Sequence, residues 1–140
     1  AIINEQDEKT ELAMARYGIH LGAAFQLVDD CLDYSSSSEE IGKNVGDDLA
    51  EGKPTLPLIY AMQVGDAKQT AAIRQVIENG GLDQIDMVLE TIKATGAIEY
   101  TAKAAQTEAD KAIACLKDIP ESDYKQAMLA LARFSVERTF

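Results

Sequence analysis

Tryptophan is absent from this 140-residue sequence, and proline (three), histidine (one) and cysteine (two) are scarce. So few prolines leave long stretches without a helix breaker, and alanine and aliphatic residues fill them, a balance that favours an all-α protein. Basic residues are also few: 13 Lys and Arg stand against 24 Asp and Glu, a formal net charge of -11. That excludes a general nucleic-acid binder, which needs a basic face for phosphates, and electrostatic docking on an anionic membrane. Cys31 and Cys115 lie far apart and show no metal-type spacing. They read as two free thiols in a reducing, cytoplasmic compartment. No apolar run reaches transmembrane length and no signal-peptide pattern is present. The sequence opens on Ala1-Ile2-Ile3, which reads as the tail of an earlier apolar element. The expectation is a single helical domain over 1–140, a piece of something longer.

The apolar pattern predicts six main helices with short connections and no strand, hence a helical bundle. A long helix covers 5–34, with Asp7 and Glu8 near its start and Leu12, Tyr17, Leu21, Ala24, Phe25, Val28 and Leu32 at helical spacing. Gly18 and Gly22, four apart, permit close approach of a neighbouring helix. Ser35 to Ser38 end it. Residues 39–53 form a loop punctuated by Gly42, Gly46 and Gly52 and dense in charge of both signs. Loops of this kind, set on a rigid scaffold, concentrate binding residues. A buried helix over 55–62 carries Pro57 in its first turn. Gly65-Asp66 cap a helix over 67–79, stopped by Gly80-Gly81. Further helices cover about 82–94, 97–118 and 121–138, with Pro120 breaking the chain before the last.

Chemistry concentrates in Gln26-Leu27-Val28-Asp29-Asp30-Cys31-Leu32-Asp33. Asp29 and Asp33 stand one helical turn apart, flanked by Gln26 and Asp30. Such runs are usually a solvated helix end. Here Phe25, Leu27, Val28 and Leu32 surround the acids with apolar surface, where crowded carboxylates need a positive partner. All-oxygen donors suit a hard cation such as Mg²⁺, which keeps waters and holds substrate phosphates. The following loop adds Lys43 and Lys53 with Asp47, Asp48 and Glu51. Carboxylates for a metal and lysines for free phosphate oxygens are the two halves of a diphosphate site, and cations there stabilise charge growing on a departing diphosphate.

Gln26–Asp33 resembles the second aspartate-rich motif of the trans-prenyl diphosphate synthases. Gly42-Lys43-Asn44-Val45-Gly46-Asp47-Asp48-Leu49-Ala50-Glu51-Gly52-Lys53-Pro54-Thr55-Leu56-Pro57 is similar to that family's glycine-lysine loop and the helix after it. Thr95 to Thr101 and the ending near Val136-Glu137-Arg138 also fit, and the whole chain resembles the C-terminal part of the isoprenoid-synthase fold, most closely in the bacterial octaprenyl-forming members. The resemblance implies Asp29 as a direct magnesium ligand, with Asp30 and Asp33 holding the metal's waters or sharing in coordination. It implies Gln26, Lys43 and Lys53 on the diphosphate of the allylic substrate. Asp48 would order a metal-bound water, with Asp47 a second candidate for that role. The implied reaction is loss of diphosphate from the allylic substrate, attack by the double bond of isopentenyl diphosphate, and loss of a proton, repeated to lengthen an all-trans chain. The family's other aspartate-rich motif and its basic residues for isopentenyl diphosphate are not in this sequence, so about half of an active site is expected, without turnover of its own. The resemblance also implies a homodimer, and uncovered apolar faces would drive self-association.

Two alternatives belong to other classes or outcomes: a non-catalytic helical partner of a separate synthase subunit, and a terpene cyclase of the same fold. The lysine loop matches chain-extending enzymes better than cyclases. His20 has no acid or nucleophile in clear register and reads as a helix residue, not a base. Tyr17, Phe25 and Tyr34 read as packing groups, although Leu21 or Phe25 could line a prenyl channel. Met14, Met62, Met87 and Met128 read as core filler, and the charges over 99–111 as a solvated helix face.

Overall fold

The computed structural model describes residues 2, 5–35, 52–79 and 84–137, and six α-helices lie among them. They are α1 (Glu8–Ser35), α2 (Leu56–Val64), α3 (Ala67–Asn79), α4 (Ile85–Ala94), α5 (Ala97–Cys115) and α6 (Asp123–Phe134). No strand occurs among the described residues, so the protein is all-α as its composition predicts. None of these helices is long and apolar enough to cross a membrane.

Local chemistry explains where the helices start. Asp7 accepts a bond from the Thr10 amide at 2.8 Å and so caps α1. Asp66 accepts from the amides of Lys68 and Gln69 at 2.8 Å, while Gln69 Oε1 accepts from the Asp66 amide at 2.9 Å. This reciprocal pair satisfies amides that open α3 and places its start where Gly65-Asp66 predicts. Ser122 caps α6 by accepting from the Lys125 amide. Two glycines are required by geometry. A Cβ at Gly65 would stand 2.7 Å from the Ala61 carbonyl, and Gly96 has a φ of +68° just past the end of α4.

The ends of α5 and α6 fall short of expectation, at Cys115 and Phe134 instead of 118 and 138. The chain does not straighten there; it tightens. Leu116, Lys117 and Ile119 donate to the carbonyls of Ile113, Ala114 and Leu116, and Val136 and Glu137 to those of Arg133 and Phe134, all three residues back. These 3₁₀-type bonds use up terminal carbonyls while narrowing the last turn. The Gly80-Gly81 stop lies outside the described residues.

The chain divides into two units, one formed by 1–28 with 103–139 and the other by 29–102, so α1 and α5 each contribute to both. In the first unit, Tyr17, Ala112, Leu116 and Ala132 form the buried centre, with Met14, Leu21, Ile113, Met128 and Leu129 packed against it. The Tyr17 hydroxyl donates to the Met128 carbonyl at 2.9 Å, tying α1 to α6. His20 Nδ1 lies 2.7 Å from Glu108 Oε2, and Lys111 Nζ 2.6 Å from Glu108 Oε1. The charges over 99–111 are therefore mostly a solvated face, as read, but Glu108 is the exception and gives His20 a partner on α5. Lys111 first, then His20, hold the Glu108 carboxyl below the usual carboxylate range. A depressed carboxyl contributes stability that is complete at neutral pH and is lost as pH falls through its folded-state value. Glu108→Gln is accordingly expected to lower the melting temperature at neutral pH, with the gap to the parent closing as pH drops below the ordinary value of 4.5; thermal melts across that range check it.

In the second unit α2, α3 and α4 pack on one another. Their centre holds Leu58, Ala61, Ile73, Val76, Val88 and Ile92, together with Tyr34 from α1 and Ala97 from α5. Thr55 Oγ1 meets the Tyr34 hydroxyl at 3.3 Å, and Thr70 Oγ1 donates to the Met62 carbonyl at 3.0 Å. Tyr60 and Tyr100 stack with ring centroids 3.9 Å apart.

Candidate functional site

The acidic motif occupies the closing turns of α1. A helix turns about 100° per residue, so Asp29 and Asp33 share one stripe while Asp30 faces elsewhere. Burial follows that division. Asp30 is buried at 7% exposure, and Asp29 and Asp33 are half-buried. The neighbours Val28 and Cys31 are almost wholly enclosed. A purely solvated helix end would expose all three acids, and these are not exposed. Gln26, three residues before Asp29, is exposed.

Two electrostatic features bear on the motif. The C-terminal end of a helix carries the negative end of its dipole, where cations are favoured and carboxylates are not. No basic residue stands in the last turn of α1, and Asp33 is there instead. The last turn of α1 therefore supplies no neutralising charge of its own. The second feature is Cys31. Burial, then the charges of Asp30 and Glu99, push its thiol up to about 12. It stays protonated, points its Sγ at the Ile98 carbonyl 3.8 Å away, and is no nucleophile.

Lys53 is exposed, two residues before the first turn of the α2 region at Thr55. Lys43, Asp47, Asp48 and Glu51 lie outside the described residues, so the loop half of the proposed pair has no described geometry beyond Lys53. Among the described residues no three His, Cys, Asp or Glu side chains converge as a metal cage. The α1 carboxylates alone offer a stripe of two plus a buried neighbour.

A groove of about 380 Å³ lies in the first unit between α1 and α6. Gly18, Leu21, Gly22 and Phe25 form one wall and Leu131, Phe134 and Ser135 the other. Ser135 donates its hydroxyl to the Ala132 carbonyl. Phe25, expected to pack, is about half exposed (46%), whereas Tyr17 and Tyr34 are buried. The pairing of α1 with α6 across this groove, like that of His20 with Glu108, joins positions about a hundred residues apart. Only the near one-turn spacing of Leu131 and Phe134 marks the α6 side in the sequence.

The profile of the polyprenyl synthetase family matches residues 1–95. Across the whole chain, 50% of positions are identical to the octaprenyl diphosphate synthase of Haemophilus influenzae, within 43% of that protein's length. A polyprenyl synthase from Caulobacter crescentus CB15, solved with calcium and isoprenyl diphosphate, superposes with a TM-score of 0.83 and 38% identity, covering 95% of this chain and 41% of that one. A geranylgeranyl pyrophosphate synthase from Corynebacterium glutamicum, solved with isoprenyl diphosphate and magnesium, does so with a TM-score of 0.81 and 32% identity, over 95% and 39%. The fold is thus the all-helical architecture of the prenyl synthases, and this chain belongs to the polyprenyl synthetase family. It spans about two fifths of the length of the relatives it matches.

Proposed function

We propose that this chain forms one side of the active site of a cytoplasmic long-chain trans-prenyltransferase of the octaprenyl diphosphate synthase type. The observation that supports it most is the acidic motif of α1: one aspartate buried, two half-buried, and no basic residue in the last turn of the helix. The donor set fits Mg²⁺, an oxygen-seeking ion bound through one or two carboxylates, waters and substrate phosphates rather than by an all-protein cage. Asp29 would hold the ion directly, Asp30 and Asp33 would share in coordination or fix its waters, and Asp48 would order a water from the loop. When bound, the ion supplies neutralisation of charge on the departing diphosphate.

The chain's own residues do the rest of the positioning. Gln26 donates its amide to a diphosphate oxygen, and Lys43 and Lys53 place ammonium groups on the free oxygens, where negative charge grows as the allylic C–O bond breaks. The double bond of isopentenyl diphosphate then attacks the allylic cation and a proton leaves. Family likeness supports the octaprenyl product, as it supports a homo-oligomer.

Calorimetric titration with inorganic diphosphate tests this reading. Heat of binding is expected with Mg²⁺ and none without it. A purely structural helical partner gives none in either case, and that result overturns the proposal. Given Mg²⁺ and both substrates, the chain by itself is expected to form no prenyl product, because the facing acidic motif and the basic residues for isopentenyl diphosphate are not among its 140 residues. Robust turnover in that assay would contradict this division of the site.

A further inference from the structure

We propose that Tyr34 and Thr55 are positioning residues for Lys53, holding its backbone at a fixed place relative to the carboxylates of α1. The inference rests on the diphosphate reading above and adds to it how one phosphate-binding lysine is kept in register with the metal side. Tyr34 follows Asp33 directly, and Thr55 stands two residues after Lys53. The Tyr34 ring is buried at the centre of the second unit with Leu58, Ile73 and Val88, so the last turn of α1 is moored there. Its hydroxyl lies 3.3 Å from Thr55 Oγ1. Thr55 in turn donates its amide to the Lys53 carbonyl at 3.0 Å, closing a tight turn round Pro54, whose ring fixes φ. The links run from the acidic motif through a hydroxyl pair and one amide to the lysine.

Helix stability alone would turn the Thr55 hydroxyl elsewhere. Thr55 occupies the N-cap of α2 with the extended backbone of a cap (φ -72°, ψ 164°), yet its side chain makes no capping bond. Threonine at that position ordinarily accepts from an amide in the first turn and stabilises the helix. Here a local stabilising bond is given up for a tie between two elements, and such concessions concentrate at functional sites. On the other side of Lys53, Gly52 adopts a φ of +72°, and a Cβ there would stand 3.1 Å from the Ile77 carbonyl oxygen of α3. Glycine takes that conformation without strain and admits so close an approach. The Lys53 backbone is therefore fixed from both sides, while the residue itself is exposed. An anchored backbone reduces the conformational freedom that a long cationic side chain loses when it meets a phosphate oxygen.

A double-mutant cycle on Mg²⁺-dependent binding of inorganic diphosphate, followed by calorimetry, tests the proposal. Lys53→Ala is expected to weaken binding about tenfold. Tyr34→Phe and Thr55→Val, which each remove one hydroxyl and keep the shape, are each expected to weaken it about three- to fivefold, and their combination no more than either alone. Thr55→Ser keeps the hydroxyl and is expected to bind like the parent. In the Lys53→Ala chain, Tyr34→Phe is expected to change nothing. A tyrosine that acts on the whole site rather than through the lysine would weaken binding equally in both backgrounds, and that result overturns the proposal. So does a Tyr34→Phe chain that binds like the parent while Lys53→Ala does not; the diphosphate reading then stands without the tie. If Lys53→Ala binds like the parent, or the parent shows no Mg²⁺-dependent heat, the place of Lys53 in that reading falls and the proposal with it. Thermal melts accompany the cycle. Released from Tyr34, the Thr55 hydroxyl can cap α2, so the Tyr34→Phe melting temperature is expected within about 2 °C of the parent. A loss of affinity accompanied by a fall of more than about 5 °C would mark the hydroxyl as a support of the core, and overturns the proposal too.

Discussion

Asp29→Ala is expected to lower the Mg²⁺-dependent affinity for inorganic diphosphate by at least about tenfold, since even groups that merely orient a metal ligand are worth ten- to a hundredfold. Two carboxylates on one stripe of α1 cannot share the ion's charge if one is removed, and Asp33 is left at the negative end of the helix dipole. Gln26→Ala removes one hydrogen bond to the diphosphate and is expected to cost less, about three- to tenfold. Gln26 is exposed, so the loss leaves no buried group without a partner. Calorimetry at fixed Mg²⁺ ranks the two, with circular dichroism confirming that each variant is helical. Equal affinities for Asp29→Ala and the parent would remove the carboxylate stripe from the site.

The largest effect on stability is expected at Leu58. Its side chain is completely enclosed among the helices of the second unit, with Ile73, Val76, Val88 and Ile92. Leu58→Ala removes that transfer energy and leaves a cavity, costing about 2–5 kcal/mol. For a protein of this size that corresponds to a fall in melting temperature on the order of 10 °C. Ile59→Ala, one residue on and 41% exposed, should change stability by less than about 1 kcal/mol. Chemical denaturation of the pair separates burial from helix propensity, because the substitutions are nearly isomeric and sit side by side in α2. Similar midpoints for both variants would show that the second unit is not closed around Leu58.

How much of this was legible beforehand depended on the range of the interaction. Helix α3 begins where read, at 67, because Gly65, Asp66 and Gln69 are neighbours and their capping bonds are local. The terminal turns of α5 and α6 were not legible, because a switch from four-residue to three-residue bonds leaves no mark on the apolar period. Within the acidic motif, helical spacing puts Asp29 and Asp33 together, but only packing shows that Asp30 is the enclosed member. His20 looked solitary because its acid, Glu108, comes from a helix 88 residues further along. The resemblance of the glycine-lysine segment was plain at the level of residues, while of its named charged groups only Lys53 falls among the described residues.

The route by which the chain is threaded has a consequence for its biogenesis. Contacts of α2, α3 and α4 are confined to three helices consecutive in the chain, so that part can assemble as it leaves the ribosome, with little loop entropy to overcome. The other unit joins residues 1–28 to 103–139, and its closure must await the synthesis of nearly everything between. During that interval the greasy surface of the first helix has no late-made partner, the condition under which nascent chains aggregate or recruit chaperones.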